Sequence, residues 1–402
     1  MNTTVPQTIS RSEFIVLMAM MFATTAFSID AMLPGMPAIA AEISPDAPAH
    51  AAWVLTAFVI GLGFGTFFTG PLSDAFGRKK LIYIGCVIYV AGAIAAWMTS
   101  SLEWMLAARV VQGIGASGPR IVSLAVIRDI YSGREMARIV SLSMMIFILV
   151  PAIAPAMGDL IIHAAGWRAI FGAFIFFAVI STAWLGVRLN EPLAVQDRRP
   201  LRLALMLSAV HEMLTHPTVL LSIIVQTMVL CMLFTLLTMI QPIFDISYGR
   251  SDSFPYWFGL IALMSGSASF LNSIIVTRFG MRAVVTWTFG LQLALGIIVL
   301  SLMYSGSKFD FPLFLIWQFG LFCQAGLTVG NLNAIAMEPM GHIAGMAASV
   351  IGSISTIIGA AAASPMSVLF DGTPMPLITI VCVLGAVCLV LMQRMNRIEK
   401  AA

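Results

Sequence analysis

Apolar runs of about 20 residues, each closed by a short polar break, repeat from one end of the chain to the other. They fall near residues 14–36, 51–71, 81–99, 103–127, 137–163, 169–188, 217–243, 255–277, 283–304, 312–336, 343–369 and 375–393. A run of that length is what an α-helix needs to cross a hydrocarbon layer of about 30 Å. The pattern therefore predicts an all-α membrane protein of twelve transmembrane helices. One break differs from the rest. Between residues 191 and 216 it carries Glu191, Asp197, Arg198, Arg199, Arg202, His211 and Glu212. This reads as a polar linker, partly an amphipathic helix. It joins a six-helix bundle over 1–190 to a second six-helix bundle over 217–402.

Composition supports the same picture. Of the 402 residues, 60% are hydrophobic and only 10% charged, against roughly 25% charged in soluble domains. The net charge of +3 offers nothing to nucleic acid. The polar N-terminal stretch lacks a cleavage site after a short apolar core, so the first run is expected to be retained as a span. Cys86, Cys231, Cys323, Cys382 and Cys388 lie scattered without a CxxC, as expected of buried free thiols. No cluster of metal ligands and no nucleophile–base set stands out, so neither enzyme, metal nor cofactor is expected. Basic residues orient the spans. With the N-terminus in the cytoplasm, only Arg168, Arg250 and Lys308 of the 21 basic residues fall outside, while Arg109 and Arg120 lie within a span. The positive-inside rule then places both termini in the cytoplasm.

The fourth run contains RVVQGIGASGPR, residues 109–120. Gly113, Gly115 and Gly118 match a GxGxxG dinucleotide fingerprint, but that motif needs a strand before it and a helix opening after it. Here the run is apolar on both sides, so these glycines, like Gly61, Gly63 and Gly65, are expected to let membrane helices approach closely. Arg109 and Arg120 are a different matter, because a charge inside a bilayer is costly and seeks the bundle interior. Their eleven-residue separation is about three turns and 16 Å, which places both, with Gln112 and Ala116, on one stripe. Asp30 is the clearest acidic residue within a span; Asp159 lies nearer a span end. A desolvated carboxylate titrates near neutrality and stays charged beside a cation. Asp30 therefore reads either as a proton-coupling group or as a structural cap before Pro34.

Gly70-Pro-Leu-Ser-Asp74-Ala-Phe-Gly77-Arg78-Lys79-Lys80 resembles the loop motif of the major facilitator superfamily, with Ala75 where arginine is usual. Ile29-Asp30-Ala-Met-Leu-Pro34-Gly-Met-Pro37, Arg109-Val-Val-Gln112-Gly113 and Arg128-Asp129 are similar to motifs of its Bcr/CflA drug:proton antiporters. So are Ala154-Pro155-Ala-Met-Gly158 and Trp167-Arg168-Ala-Ile-Phe171, and in the second half Gln241-Pro242, Tyr248-Gly249 and Ala344-Gly345-Met-Ala347-Ala-Ser349. Asp159 and Arg120 depart from the family pattern.

The resemblance implies two six-helix halves rocking about a midplane site, in a bacterial inner membrane, as a monomer that moves a small molecule against protons. It implies Asp30 as the proton switch, with Arg109 as its partner or as a polar clamp on substrate. Gly70, Asp74, Gly77, Arg78 and Lys79 would gate the change of state. Phe27, Gln112, Gln226, Tyr256, Asn272, Asn331 and Asn333 are candidate substrate contacts. Three functions stand apart: export of small, moderately apolar drugs such as phenicols; transport of an organic acid, siderophore or sulfonate that uses Arg120; and a non-transporting membrane sensor or scaffold.

Overall fold

The computed structural model describes residues 9–198, 200, 201, 203–306 and 308–401; Arg199 and Arg202 of the linker lie outside them. The described elements are helical, with α1 Arg11–Asp30, α2 Met36–Ile43, α3 Trp53–Phe76, α4 Arg78–Met98, α5 Leu102–Ile130, α6 Gly133–Ala165, α7 Ala169–Arg188 and α8 Leu203–Thr215. They continue as α9 Pro217–Pro242, α10 Phe254–Ser265, α11 Ser267–Phe279, α12 Met281–Tyr304, α13 Asp310–Met337, α14 Ala344–Ser367 and α15 Met375–Ala401. Twelve spans long and apolar enough to cross a membrane result, α1 with α2 and α10 with α11 each forming one. This is a multi-pass membrane protein.

The chain divides into two compact units between Leu203 and Ala204, inside the segment read as linker. The stretch after α7 stays with the first unit. Helix α8 opens the second unit, where it buries Met206, Ala209 and Met213 along one stripe and leaves Leu205, Leu207 and Leu214 exposed. That three-and-four spacing is what an amphipathic helix lying on a surface requires. Glu212 also pairs with His342 at 3.1 Å.

In the first unit α5 is the hub, sandwiched between α3 and α4. Small residues permit this. A Cβ on Gly113 would strike the Phe58 carbonyl of α3, and one on Gly115 would strike the Tyr89 amide of α4. Gly61 and Gly85 answer from the facing helices, against Val110 O and Gly115 O. The GxGxxG glycines are thus the seam of a three-helix layer, as small-residue packing in membranes leads one to expect. Of the five cysteines, all free, Cys86, Cys231 and Cys388 are buried, whereas Cys323 and Cys382 are only half-buried. Those two sit on helix flanks, a distinction that an all-apolar run does not encode.

Candidate functional site

Helix α1 stops at Asp30 for a local reason. Pro34 has no N–H to return to the Asp30 carbonyl, and the backbone tightens into a 3₁₀ turn over Leu33–Gly35. The Met32 amide then bonds Ile29 O at 3.3 Å, which leaves Ser28 O without its regular helical donor. Arg109 supplies one. Its Nη2 donates to Ser28 O at 3.0 Å, Nε to Val54 O at 3.3 Å, and Nη1 to Gln112 Oε1 at 2.7 Å. The guanidinium stacks over the Phe58 ring, 4.4 Å from its centroid, and Arg109 is 0% exposed. A buried guanidinium is tolerable only when its donors are met, and here each nitrogen has an acceptor.

Asp30, 6% exposed, is buried two residues from the carbonyl that Arg109 holds. Among the described residues its carboxylate makes no hydrogen bond and no ion pair with Arg109 or any other base. Of the two roles expected for Arg109, the direct ion-pair partner is therefore not what this structure contains. Arg109 instead fastens the end of the helix that carries Asp30. Around the pair, Ser28 shares a 2.5 Å hydrogen bond with Tyr89 of α4, both buried. Phe27 faces Phe174 and Phe177 of α7 at ring distances of 5.4 and 5.5 Å, so it is packed in an aromatic cluster. Arg120 does not share Arg109's environment, although both lie on one stripe: it is exposed.

The loop motif forms a second centre at the α3–α4 corner. Gly77, at φ +102°, turns the chain through a conformation that favours glycine. Arg78 donates to Asp74 and Ser73 at its own corner and to Asp129 of α5 at 2.7 Å. Glu191 accepts from the Arg78 and Lys79 amides at 2.8 and 2.9 Å, meeting two of the orphan donors at the start of α4. Lys79 returns the favour, its Nζ donating to Gly186 O and Leu189 O at the end of α7. Gly70 offers its carbonyl to Ser73 Oγ at 2.8 Å. The motif is thus a charged clasp joining α3, α4, α5 and α7, and it closes without an arginine at Ala75.

A third clasp sits at the other end of the first unit. Arg168 pairs with Glu42 of α2 and donates to Trp97 O and Thr99 O at the end of α4, while Trp167 Nε1 donates to Glu42 at 2.8 Å. Asp159 faces His163 at 3.4 Å, one turn along α6.

The second unit brings together only part of its expected set. Asn331 Nδ2 donates to Asn272 Oδ1 at 2.8 Å, linking α13 to α11. Gln226 on α9 is 2% exposed and its Oε1 has no partner among the described residues. Asn333 is half-buried. Tyr256, 71% exposed, is not part of any buried set, because α10 turns that side of itself outward. Ser28, Tyr89, Phe58, Glu42 and Glu191 join these centres without a sequence motif that marks them. A lone tyrosine within an apolar run is a readable signal; a carbonyl acceptor is not.

Comparison with known proteins agrees with these features. A model of the major facilitator superfamily matches residues 16–364. The chain belongs to the major facilitator superfamily. It is 28% identical over 369 residues to a bicyclomycin resistance protein homolog of Haemophilus influenzae, covering 91% of both chains. It is 33% identical over 159 residues to a chloramphenicol resistance protein of Pseudomonas aeruginosa, covering 39% of this chain and 38% of that one. Its relatives thus include drug-resistance members of the superfamily. The crystal structure of a D-xylose–proton symporter superposes with a TM-score of 0.73, covering 94% of this chain and 97% of that one. At 14% identity, that likeness speaks to the fold alone.

Proposed function

We propose that this superfamily transporter exports small, moderately apolar drugs of the phenicol or multidrug kind from the bacterial cytoplasm, driven by inward proton flow through alternating access. Asp30 carries the reading. It is a buried carboxylate without an ion-pair partner among the described residues, set at a break in a membrane helix, so it can take up and release a proton without first breaking a salt bridge. If proton and substrate favour different states of the protein, the equilibrium between those states couples the two flows. Arg109 serves by fixing the Ser28 carbonyl, and with it the direction in which Asp30 is presented. The Arg78 clasp holds one arrangement of α3, α4, α5 and α7, and both termini lie in the cytoplasm. The relatives named for bicyclomycin and chloramphenicol resistance support the substrate class, and the charged residues retained within the spans argue against a sensor or scaffold.

The test uses proteoliposomes and labelled chloramphenicol. Asp30→Asn should abolish accumulation driven by a pH gradient and leave substrate exchange at equal pH intact. Gradient-driven accumulation at the wild-type level would refute the coupling role.

A further inference from the structure

The last turn of α1 is bonded weakly from within and firmly from outside. From within, the Ala31 amide reaches Phe27 O at 3.2 Å and the Met32 amide reaches Ile29 O at 3.3 Å, at or beyond the long end of an N–H···O bond. From outside, two different helices grip Ser28 at both of its polar groups. Arg109 of α5 donates to its carbonyl at 3.0 Å, and Tyr89 of α4 meets its hydroxyl at 2.5 Å. Ser28 is 0% exposed and Tyr89 1%, so both contacts are shielded from water.

The direction of the second bond follows from counting protons. A serine hydroxyl has one hydrogen, and Ser28 Oγ lies 2.6 Å from Thr24 O, a carbonyl that can only accept. Ser28 therefore donates to Thr24, and the phenol O–H of Tyr89 donates to Ser28 Oγ. Tyr89 reaches it because Gly115 puts no Cβ against the Tyr89 amide, so α4 lies close on α5. Tyr89 also stands within electrostatic reach of Arg109, which gathers the two grips on Ser28 into one buried group.

We propose that Tyr89 is a positioning residue for proton coupling: its hydroxyl, through Ser28, holds the turn of α1 that presents Asp30. This rests on the proposed efflux reading and adds a residue to it. Asp30 follows Ser28 by two residues, about 200° round the helix, so Tyr89 acts through the backbone of the turn rather than on the carboxylate itself. The turn needs such support because the break at Pro34 diverts the Met32 amide from Ser28 O to Ile29 O. The hydroxyl is the active part. Phenylalanine would keep the packing of the ring, and Ser28 would keep its bond to Thr24 O, so only the grip on the turn would be lost.

The experiment uses the full chain in proteoliposomes with labelled chloramphenicol and reads two quantities, accumulation driven by a pH gradient and exchange at equal pH. Tyr89→Phe should lower the ratio of accumulation to exchange about threefold or more, the worth of roughly one hydrogen bond. Its melting midpoint should stay within about 4 °C of the wild type. Ser28→Ala removes the same bond from the other side and should lower the ratio to a similar extent, and the double variant should fall no further than either single one. A wild-type ratio in Tyr89→Phe, a parallel loss of accumulation and exchange, or additive losses in the double variant would overturn the proposal. If Tyr89→Phe does not fold, Ser28→Ala decides, and a wild-type ratio there overturns it. A wild type that accumulates nothing under a pH gradient would sink the efflux reading and this proposal with it; a wild type that accumulates, with an unchanged ratio in Tyr89→Phe, would sink the proposal alone.

Discussion

Substituting Gly113 by alanine separates packing from any phosphate-binding role for the glycine run. The new Cβ would strike the Phe58 carbonyl and stand 2.7 Å from Leu62 N, where 3.4 Å is ordinary contact. Both obstacles are backbone atoms of α3, so no side chain can swing aside. The carbonyl is the nearer of the two, so helices α3 and α5 would have to part by more than about 1 Å at this level, and overpacking of that kind costs about 1–3 kcal/mol or more. Alanine's better helix propensity returns at most about 1 kcal/mol, leaving a net loss. Gly118 provides the control. Its Cβ would lie 3.3 Å from Gly85 Cα and 3.4 Å from Leu81 O, so Gly118→Ala should be close to neutral. The assay is the apparent melting midpoint of each detergent-solubilised variant by fluorescence-detected size exclusion, with NADH binding measured alongside. Gly113→Ala should melt well below the wild type and Gly118→Ala near it, with no nucleotide binding by any of the three. Equal midpoints for the two variants, or a reversed order, would refute the packing argument.

The other consequences concern the charged centres. Arg109→Lys keeps the charge but cannot reach Ser28 O, Val54 O and Gln112 Oε1 together; losing two of three charge-assisted bonds should cost about 3 kcal/mol, seen as a lower melting midpoint and reduced transport. Wild-type transport by Arg109→Lys would show that only the charge matters. Glu191→Ala uncaps α4 and should cost about 1–2 kcal/mol, with trypsin cleaving the segment after α7 faster than in the wild type. Combining it with Lys79→Ala should be less than additive, since both residues fasten α4 to the end of α7; strictly additive midpoint shifts would count against a shared clasp. The Asp30 test completes the set.

Much of the second centre was legible as a motif, because Gly77, Asp74 and Arg78 are neighbours in sequence and meet through a local turn. Its remote members were not: Glu191 lies 113 residues from the Arg78 amide that it accepts from, and nothing local marks it as a cap. Tyr256 shows the opposite failure. A polar aromatic residue within a span reads as a site candidate, but the rotation of α10 about its axis decides whether it faces inward, and packing sets that rotation.

The number and order of the spans follow from the apolar pattern alone. Hydrocarbon thickness fixes how long an apolar run must be, and the absence of water forces its backbone into a helix, so both constraints act residue by residue. The sequence also showed that α5 carries two cations on one stripe. What surrounds each of them depends on packing. Arg109 is held by two backbone carbonyls and a glutamine, and carbonyls are present at every position, so no pattern of residue types reveals which are left unpaired. That depends on where Pro34 ends α1 and on how close the glycines of α3 and α5 let the helices come. Among the described residues Arg120, on the same stripe, finds no such acceptors and is exposed.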